Sequence, residues 1–353
     1  MASLVKRTLG WGAAALCALG AAGAVYEKRA EARDLEVSPP GQLVDVGGHT
    51  LHIQCSGQGS GPTVVLDAGL AGFSTDWALV QPEVATFARV CSYDRAGYGW
   101  SEPVAGERTS EIIAGELHEL LHRSGMPAPY LLVGHSFGGY NVRVFADRYP
   151  DEVAGLVLVD VSHESCPETL PPAARHRYER FDALEGPTLR LGEALARLGV
   201  IRLLLARDWL SLLDMFDPLP PTARAATMRL RAVPSFFRTS YQEILGFNES
   251  GRQAQRARGL GDRPVAVLTA AGKENMGEAP LAQIGVDKEF LETLLGVRST
   301  LHAQLAHTLS TNSRHIVTTR SGHLVQVSEP HLVVEAIHWA LEQARAPLLA
   351  HAS

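Results

Sequence analysis

The stretch Gly134-His135-Ser136-Phe137-Gly138-Gly139 decides the fold of this chain. The apolar run Tyr130 to Val133 precedes it with strand character, and Tyr140 to Tyr149 follows it with helical character. The stretch fits the pattern G-x-S-x-G at a strand-to-helix turn, where the glycines leave room for the backbone to bend tightly. This turn places Ser136 at the N-terminus of the helix, where free N–H groups favour developing negative charge. We therefore predict that Ser136 is a nucleophile.

The rest of the chain alternates strands with helices. Several strands are wholly apolar, which indicates a mostly parallel sheet covered by helices on both faces. The strands are predicted at residues 43–46, 49–55, 63–66, 89–93, 130–133, 155–159, 265–269 and 315–319. We expect an α/β core at 41–164 and 262–347, with the largely helical segment 165–261 inserted as a cap.

Composition excludes several classes of function. The chain has 353 residues, 46% of them hydrophobic, which is enough for a sizeable core. A formal net charge of -6 gives no basic footprint, so we expect no nucleic-acid partner. The 4 cysteines show no paired metal spacing, and neither a metal nor a cofactor is expected.

The first 40 residues stand apart as a hydrophobic segment plus linker. Lys6 and Arg7 precede an uncharged run of 19 residues, from Thr8 to Tyr26, and a charged segment follows it. The run is long enough to cross a membrane, and Ala22-Gly23-Ala24 could serve as a cleavage site. We expect a transmembrane helix that anchors the protein, with the catalytic domain exported. Secretion after signal cleavage is the alternative.

Three further motifs accompany the serine stretch: DAGLAG at 67–72, YDRAGYGWS at 93–101 and SGH at 321–323. Together they resemble the α/β-hydrolase superfamily over residues 41–345. Through VDVGG, GLVLVD and LVGHSFGG the chain is especially similar to a subgroup of bacterial serine hydrolases with an N-terminal hydrophobic segment. The resemblance implies the α/β-hydrolase fold, with a mostly parallel eight-stranded sheet, helices on both faces and a helical cap.

The remaining catalytic residues follow from what the serine needs. His323 is the candidate base, since it lies in a glycine-flanked loop after the last strand and follows the serine in chain order. The acid has two candidates. Asp160 ends the sixth strand, and Glu274 lies after the seventh, where the family usually places its acid; we prefer Asp160 because its shorter arm is more easily locked against an imidazole. His135 is expected to point away from Ser136, and Asp94 and Arg95 to brace the turn at 97–101.

The resemblance also implies an oxyanion hole formed by two main-chain N–H groups, those of Phe137 and Leu70. Aromatic side chains of the cap are candidates for an apolar substrate pocket, with a purely structural role in holding the cap together as the alternative for each. These are Trp209, Phe216, Phe236 and Phe237.

These residues predict a serine esterase, similar to carboxylesterases and lipases, with a nucleophile elbow, a catalytic triad and a small-molecule ester or lipid-like substrate. Amide, thioester or carbon–carbon bond hydrolysis on the same triad stays open, whereas dehalogenase and epoxide-hydrolase chemistry would need an aspartate at position 136. Two rivals are remote. His118-Glu119-Leu120-Leu121-His122 matches the zinc-peptidase pattern H-E-x-x-H, and the fold could serve as a non-catalytic binding module.

The family's strand order would bring Cys55 and Cys91 together, because it places the second strand antiparallel beside the fourth. In an exported protein this proximity would permit a disulfide. Two buried free thiols are the equal alternative.

Overall fold

The computed structural model describes residues 2–35, 38–59, 61–207, 209–272 and 287–350, leaving out the side chains of 2–16, 35, 211–212 and 346–350. Its strands are β1 (Gln42–Asp45), β2 (Thr50–Ser56), β3 (Thr63–Asp67), β4 (Val90–Tyr93), β5 (Tyr130–His135), β6 (Val153–Val159), β7 (Val265–Thr269) and β8 (Ser313–Val317). They form one sheet in the order β1-β2-β4-β3-β5-β6-β7-β8. β2 runs antiparallel to β1 and β4, and β3 to β8 are parallel, which confirms the predicted eight-stranded, mostly parallel sheet.

The helices of the core flank this sheet. They are α2 (Gln81–Val84), α3 (Ser110–Arg123) and α4 (Gly138–Arg148), with α10 (Lys288–Leu309), α11 (Val325–Ser328) and α12 (Pro330–Ala350) near the end of the chain, whereas α1 (Ala2–Leu35) precedes the core. The cap helices are α5 (Cys166–Thr169), α6 (Pro172–Arg197), α7 (Val200–Ala206), α8 (Pro221–Arg231) and α9 (Pro234–Arg256). Short 3-10 helices span Ser74–Trp77, Pro150–Glu152 and Ser211–Phe216.

The two faces of the sheet bury separate apolar clusters. Along β5, Leu132 joins one cluster, whereas Leu131 and Val133 join the other. Alternate residues of a strand point to opposite faces, so a strand buried on both sides must be apolar throughout. The first cluster includes side chains of α3, α4 and α10, and the second those of α2 and α12. This packing fixes the carboxyl ends of the strands at one edge, where the site lies.

Cys55 and Cys91 form a disulfide between β2 and β4. They are directly opposed in the antiparallel register of these strands. Of the two alternatives left by the sequence, the structure therefore has the bonded pair.

The helix α1 contacts the cap through its C-terminal half. Glu27 is buried there, and its carboxylate accepts hydrogen bonds from Arg202 of the cap at 2.8 and 3.0 Å. Within the described part of the chain, no helix is long and apolar enough to cross a membrane. The anchor at residues 8–26 stays a prediction, since the side chains of 8–16 lie outside the described ones.

Candidate active site

Ser136 occupies the turn between β5 and α4 with a φ of 51°, in the left-handed region that a side chain rarely adopts. Its N–H donates to the Val159 carbonyl at 3.1 Å, and its own carbonyl accepts from the N–H groups of Gly139 and Ser162 at 3.0 and 3.1 Å. A Cβ at Gly134 would lie 2.6 Å from the Gly138 carbonyl oxygen. The close backbone approach therefore requires glycine, and the three bonds hold the strained serine in place.

His323 follows β8 and meets the serine. Its Nε2 lies 2.9 Å from Ser136 Oγ, and its Nδ1 lies 2.6 Å from Asp160 Oδ2. This network assigns the ring proton to Nδ1, which leaves Nε2 free to accept the serine proton. The His323 side chain is 46% exposed, so a substrate can reach this pair of groups.

His135 stabilises the loop that carries His323. The Nε2 of His135 donates to the His323 carbonyl oxygen at 2.9 Å. Burial and the neighbouring His323 lower the pKa of His135 to about 3, which keeps its ring neutral. Glu329 secures the same loop by accepting the N–H of Ser321 at 2.8 Å.

Asp160 lies directly after β6 with a φ of 42° and is fully buried. Its Oδ1 accepts the Ala270 N–H at 3.0 Å, while Arg298 of α10 donates to its Oδ2 at 2.6 Å and to its main-chain oxygen at 2.9 Å. Burial raises the pKa of Asp160, but the Arg298 charge and the His323 hydrogen bond outweigh it and hold this pKa well below its usual range. The carboxylate is therefore ionised beside the imidazole.

The alternative acid, Glu274, lies outside the described residues. Arg298 was missed by sequence reasoning, since a single arginine in a helix belongs to no motif. Its proximity to Asp160 arises only from the packing of α10 beside β7 and β8.

The predicted oxyanion loop lies against the nucleophile. A Cβ added at Gly69 would be 3.0 Å from Ser136 Cβ, which only glycine avoids at this position. Ala71, in the same loop, has a φ of 57°. Between described residues, neither the Leu70 N–H nor the Phe137 N–H donates a main-chain hydrogen bond. Both predicted donors are thus available to a ligand.

A buried arginine supports this loop. Arg95 donates to the main-chain oxygens of Ala68 and Gly69 at 2.6 and 2.8 Å and to Asp67 Oδ1 at 2.9 Å. It also forms a two-pronged ion pair with Glu243 of α9, at 2.7 and 2.9 Å. Arg95 therefore joins the loop to the cap. This differs from the expectation that Arg95 braces the turn at 97–101. Asp94 does contact that turn, because its Oδ2 accepts the N–H of Trp100 at 3.0 Å.

The four aromatic residues predicted for a substrate pocket lie in different surroundings. Phe236 packs with Phe73 and Tyr98 beside the oxyanion loop, with Phe237 against it. Phe216 is buried under the guanidinium of Arg231. Trp209 is 64% exposed and lies outside these clusters.

The first histidine of the H-E-x-x-H match makes other contacts. His118 Nε2 lies 3.0 Å from Glu152 Oε1, and its ring stacks on Tyr149 with centroids 3.9 Å apart. In the described segments no group of three or more His, Cys, Asp or Glu side chains could hold a metal ion.

Comparison with known proteins identifies the fold of the chain. A family described as "alpha/beta hydrolase fold" matches residues 62–195. The solved structure of a thermophilic esterase from Thermogutta terrifontis aligns with a TM-score of 0.56 and 22% identity, covering 87% of this chain and 99% of that one. At this identity the likeness concerns the fold alone. Together with the observed sheet, these matches show that the chain has the α/β-hydrolase fold.

Curated relatives match only part of the chain. The uncharacterized protein YqjL of Bacillus subtilis is 30% identical over 155 residues, which cover 43% of this chain and 61% of that protein. A fluoroacetate dehalogenase of a Burkholderia species is 34% identical over 125 residues, covering 34% of this chain and 40% of the relative. The chain spans 23 to 61% of the length of such curated relatives.

Proposed function

We propose that this chain is a serine hydrolase that cleaves carboxylic esters, with Ser136 as nucleophile, His323 as base and Asp160 as acid. The observation that carries the proposal is the continuous hydrogen-bonded chain from Ser136 Oγ through the imidazole to the Asp160 carboxylate, at 2.9 and 2.6 Å. A serine hydroxyl is a weak nucleophile and needs such a base within hydrogen-bond reach.

The reaction follows from this geometry. Ser136 Oγ attacks the ester carbonyl carbon while its proton passes to His323 Nε2, and Asp160 stabilises the imidazolium through Nδ1–H. The N–H groups of Leu70 and Phe137 donate to the carbonyl oxygen as it becomes an oxyanion. The C–O bond then breaks, and the alcohol leaves with the proton from Nε2. Water attacks the acyl-enzyme through the same steps, with His323 again as base, and releases the acid and free Ser136.

The substrate class rests on the side chains near the oxyanion loop. Phe73, Tyr98 and Phe236 form a buried apolar cluster there, with the partly buried Ala71, Trp100 and Phe237 packed against it. These apolar surroundings favour small or medium apolar acyl groups, including lipid-like esters. Amides, thioesters or carbon–carbon bonds cleaved on the same triad form the second candidate. Rates on a matched panel of an ester, an amide and a thioester with one acyl group would rank these substrates.

The proposal is tested by Ser136→Ala. We expect this variant to lose turnover of a chromogenic ester and covalent labelling by a fluorophosphonate. Ser162→Ala, which keeps the Ser162 main-chain bond to Ser136, is the matched control and should still be labelled. Undiminished labelling of the Ser136→Ala protein would contradict the proposal.

We further propose that the catalytic domain is exported. The Cys55–Cys91 disulfide supports this, since such bonds persist in oxidising compartments. The run at 8–26 would then act as a membrane anchor or as a cleaved signal. Fractionation of cells with N-terminal sequencing of the mature chain distinguishes the two, and recovery of the full-length chain in the cytoplasm would contradict export.

A further inference from the structure

Arg298 occupies a position that ester hydrolysis by a serine triad does not require. Its Nη2 lies 2.6 Å from Asp160 Oδ2, the oxygen that also bonds His323 Nδ1 at 2.6 Å. One carboxylate oxygen thus serves both the catalytic histidine and an arginine. The Arg298 side chain is 18% exposed, so solvent screens its charge only in part.

The arginine is also close to the imidazole itself. Arg298 Nη2 and His323 Nδ1 are 3.4 Å apart. Because Nδ1–H already donates to Asp160 and both nitrogens are donors, this contact is not a hydrogen bond in the working tautomer. When His323 accepts the serine proton, the ring becomes a cation beside a guanidinium that stays charged. This repulsion disfavours the protonated ring.

We propose that Arg298 is a positioning residue that keeps His323 neutral, and able to accept a proton, at lower pH than Asp160 alone would allow. The same guanidinium nitrogen bonds the Asp160 main-chain oxygen at 2.9 Å. It therefore also holds the acid in its left-handed backbone conformation. The catalytic meaning of this inference rests on the proposed function, but the effect on His323 is a property of the resting protein.

In the part of the chain that the structure describes, four other groups close to His323 do not supply this effect. Asp160 is the anion that favours the protonated ring, and Ser136 is neutral. Burial and the nearby His323 lower the pKa of His135 to about 3. Burial and the Arg298 charge lower the pKa of His302, one turn along α10, to about 4. Both histidines stay neutral where enzymes usually work, which among these described groups leaves Arg298 as the fixed positive charge next to the ring.

The test compares neutral and charged replacements by NMR titration of the His323 ring in the resting protein. Removing the charge in Arg298→Gln should raise the pH of half-protonation of His323 by about one unit, given a partly screened contact at this distance. Arg298→Lys keeps the charge and should shift the midpoint by no more than about a third of that. The acid limb of the kcat/KM profile should move with the ring.

Arg263→Gln is the matched control. Arg263 also binds main-chain oxygens, those of Pro150, Val153 and Leu260. These lie at the amino ends of the strands, opposite the ends that carry the site. A purely structural role of Arg298 would make Arg298→Gln behave like this control, with lower stability and an unmoved midpoint. That result would overturn the proposal. Arg298→Met replaces Arg298→Gln if the latter does not fold.

The proposed function and this inference fail separately. An active Ser136→Ala variant would refute the triad and leave the titration result standing. An inactive Ser136→Ala variant with an unmoved Arg298→Gln titration would refute only the role of Arg298.

Discussion

Two arginines stabilise the two sides of the site, and they differ in the number of carboxylates with which each forms an ion pair. Arg95, below the oxyanion loop, is shared by two buried carboxylates, Asp67 and Glu243. Arg298, on the acid side, pairs with a single carboxylate, Asp160, which also bonds His323. Each arginine additionally binds main-chain oxygens, so both position a loop.

The difference shows in the proton affinity of the two aspartates. Burial raises the pKa of Asp67 to about 6, because Arg95 and the Tyr93 hydroxyl offset burial only in part. At Asp160 the same burial is outweighed by Arg298 and His323, and the pKa falls well below its usual range. An arginine that must neutralise two carboxylates holds a structure together, whereas an arginine with one keeps that carboxylate ionised for chemistry.

The largest expected effect concerns the acid of the proposed triad. Asp160→Asn should lower kcat/KM by roughly 10⁴-fold, because the amide cannot fix the imidazole tautomer or stabilise its protonated form. Glu274→Gln is the matched variant and should change the rate little. Both are measured with one chromogenic ester. A large loss in Glu274→Gln, with Asp160→Asn near wild type, would reverse the assignment.

The next effect concerns the arginine below the oxyanion loop. Arg95→Met leaves Asp67 and Glu243 buried without their partner and should lower the free energy of unfolding by about 3–5 kcal/mol. Urea denaturation measures this. The control is Arg258→Met, because the Arg258 side chain is 75% exposed in its pair with Asp147, and this variant should lower the free energy of unfolding far less. Equal losses in the two variants would remove the distinction between a buried network and a surface pair.

The smallest effect is a pH dependence of opposite sign in the two networks. The pKa of Asp67 is raised from 3.8 to about 6, so its contribution to stability is present below about pH 4 and is lost as the pH rises through about 6. This loss amounts to about 3 kcal/mol. Asp160, with its lowered pKa, contributes above about pH 4 and loses that contribution as the pH falls.

Denaturation of Asp67→Asn and Asp160→Asn between pH 3 and 7 separates these contributions. Asp67→Asn should remove a decline of stability between about pH 4 and 6, and Asp160→Asn a decline below about pH 4. Identical profiles for the two variants would show that the pKa values of both carboxyl groups are shifted in the same direction.

The sequence predicts those parts of the site that depend on local backbone geometry. Gly134 and Gly138 around Ser136 are needed for a close backbone approach, and such requirements leave a readable pattern. The positions of Ser136, Asp160 and His323 after strands could be anticipated, although their catalytic roles stay predictions.

Side chains that arrive from distant elements could not be anticipated. Arg298 reaches Asp160 across 138 residues, and Glu243 reaches Arg95 across 148. These contacts depend on how α9 and α10 settle on the sheet, and no short-range pattern encodes that packing. Trp209 illustrates the same limit in reverse, since its aromatic character suggested a pocket and the structure leaves it exposed.

Three residues other than glycine have left-handed backbone conformations in the described chain: Ala71, Ser136 and Asp160. All three belong to the site, one in the oxyanion loop, one as the candidate nucleophile and one as the candidate acid. Each conformation is unfavourable by itself and persists only while its surroundings enforce it. During folding these residues should therefore adopt their native geometry last, after the strands that hold them have paired. Recovery of activity would then lag behind recovery of helix and strand content, which makes turnover a stricter reporter of the native state than circular dichroism.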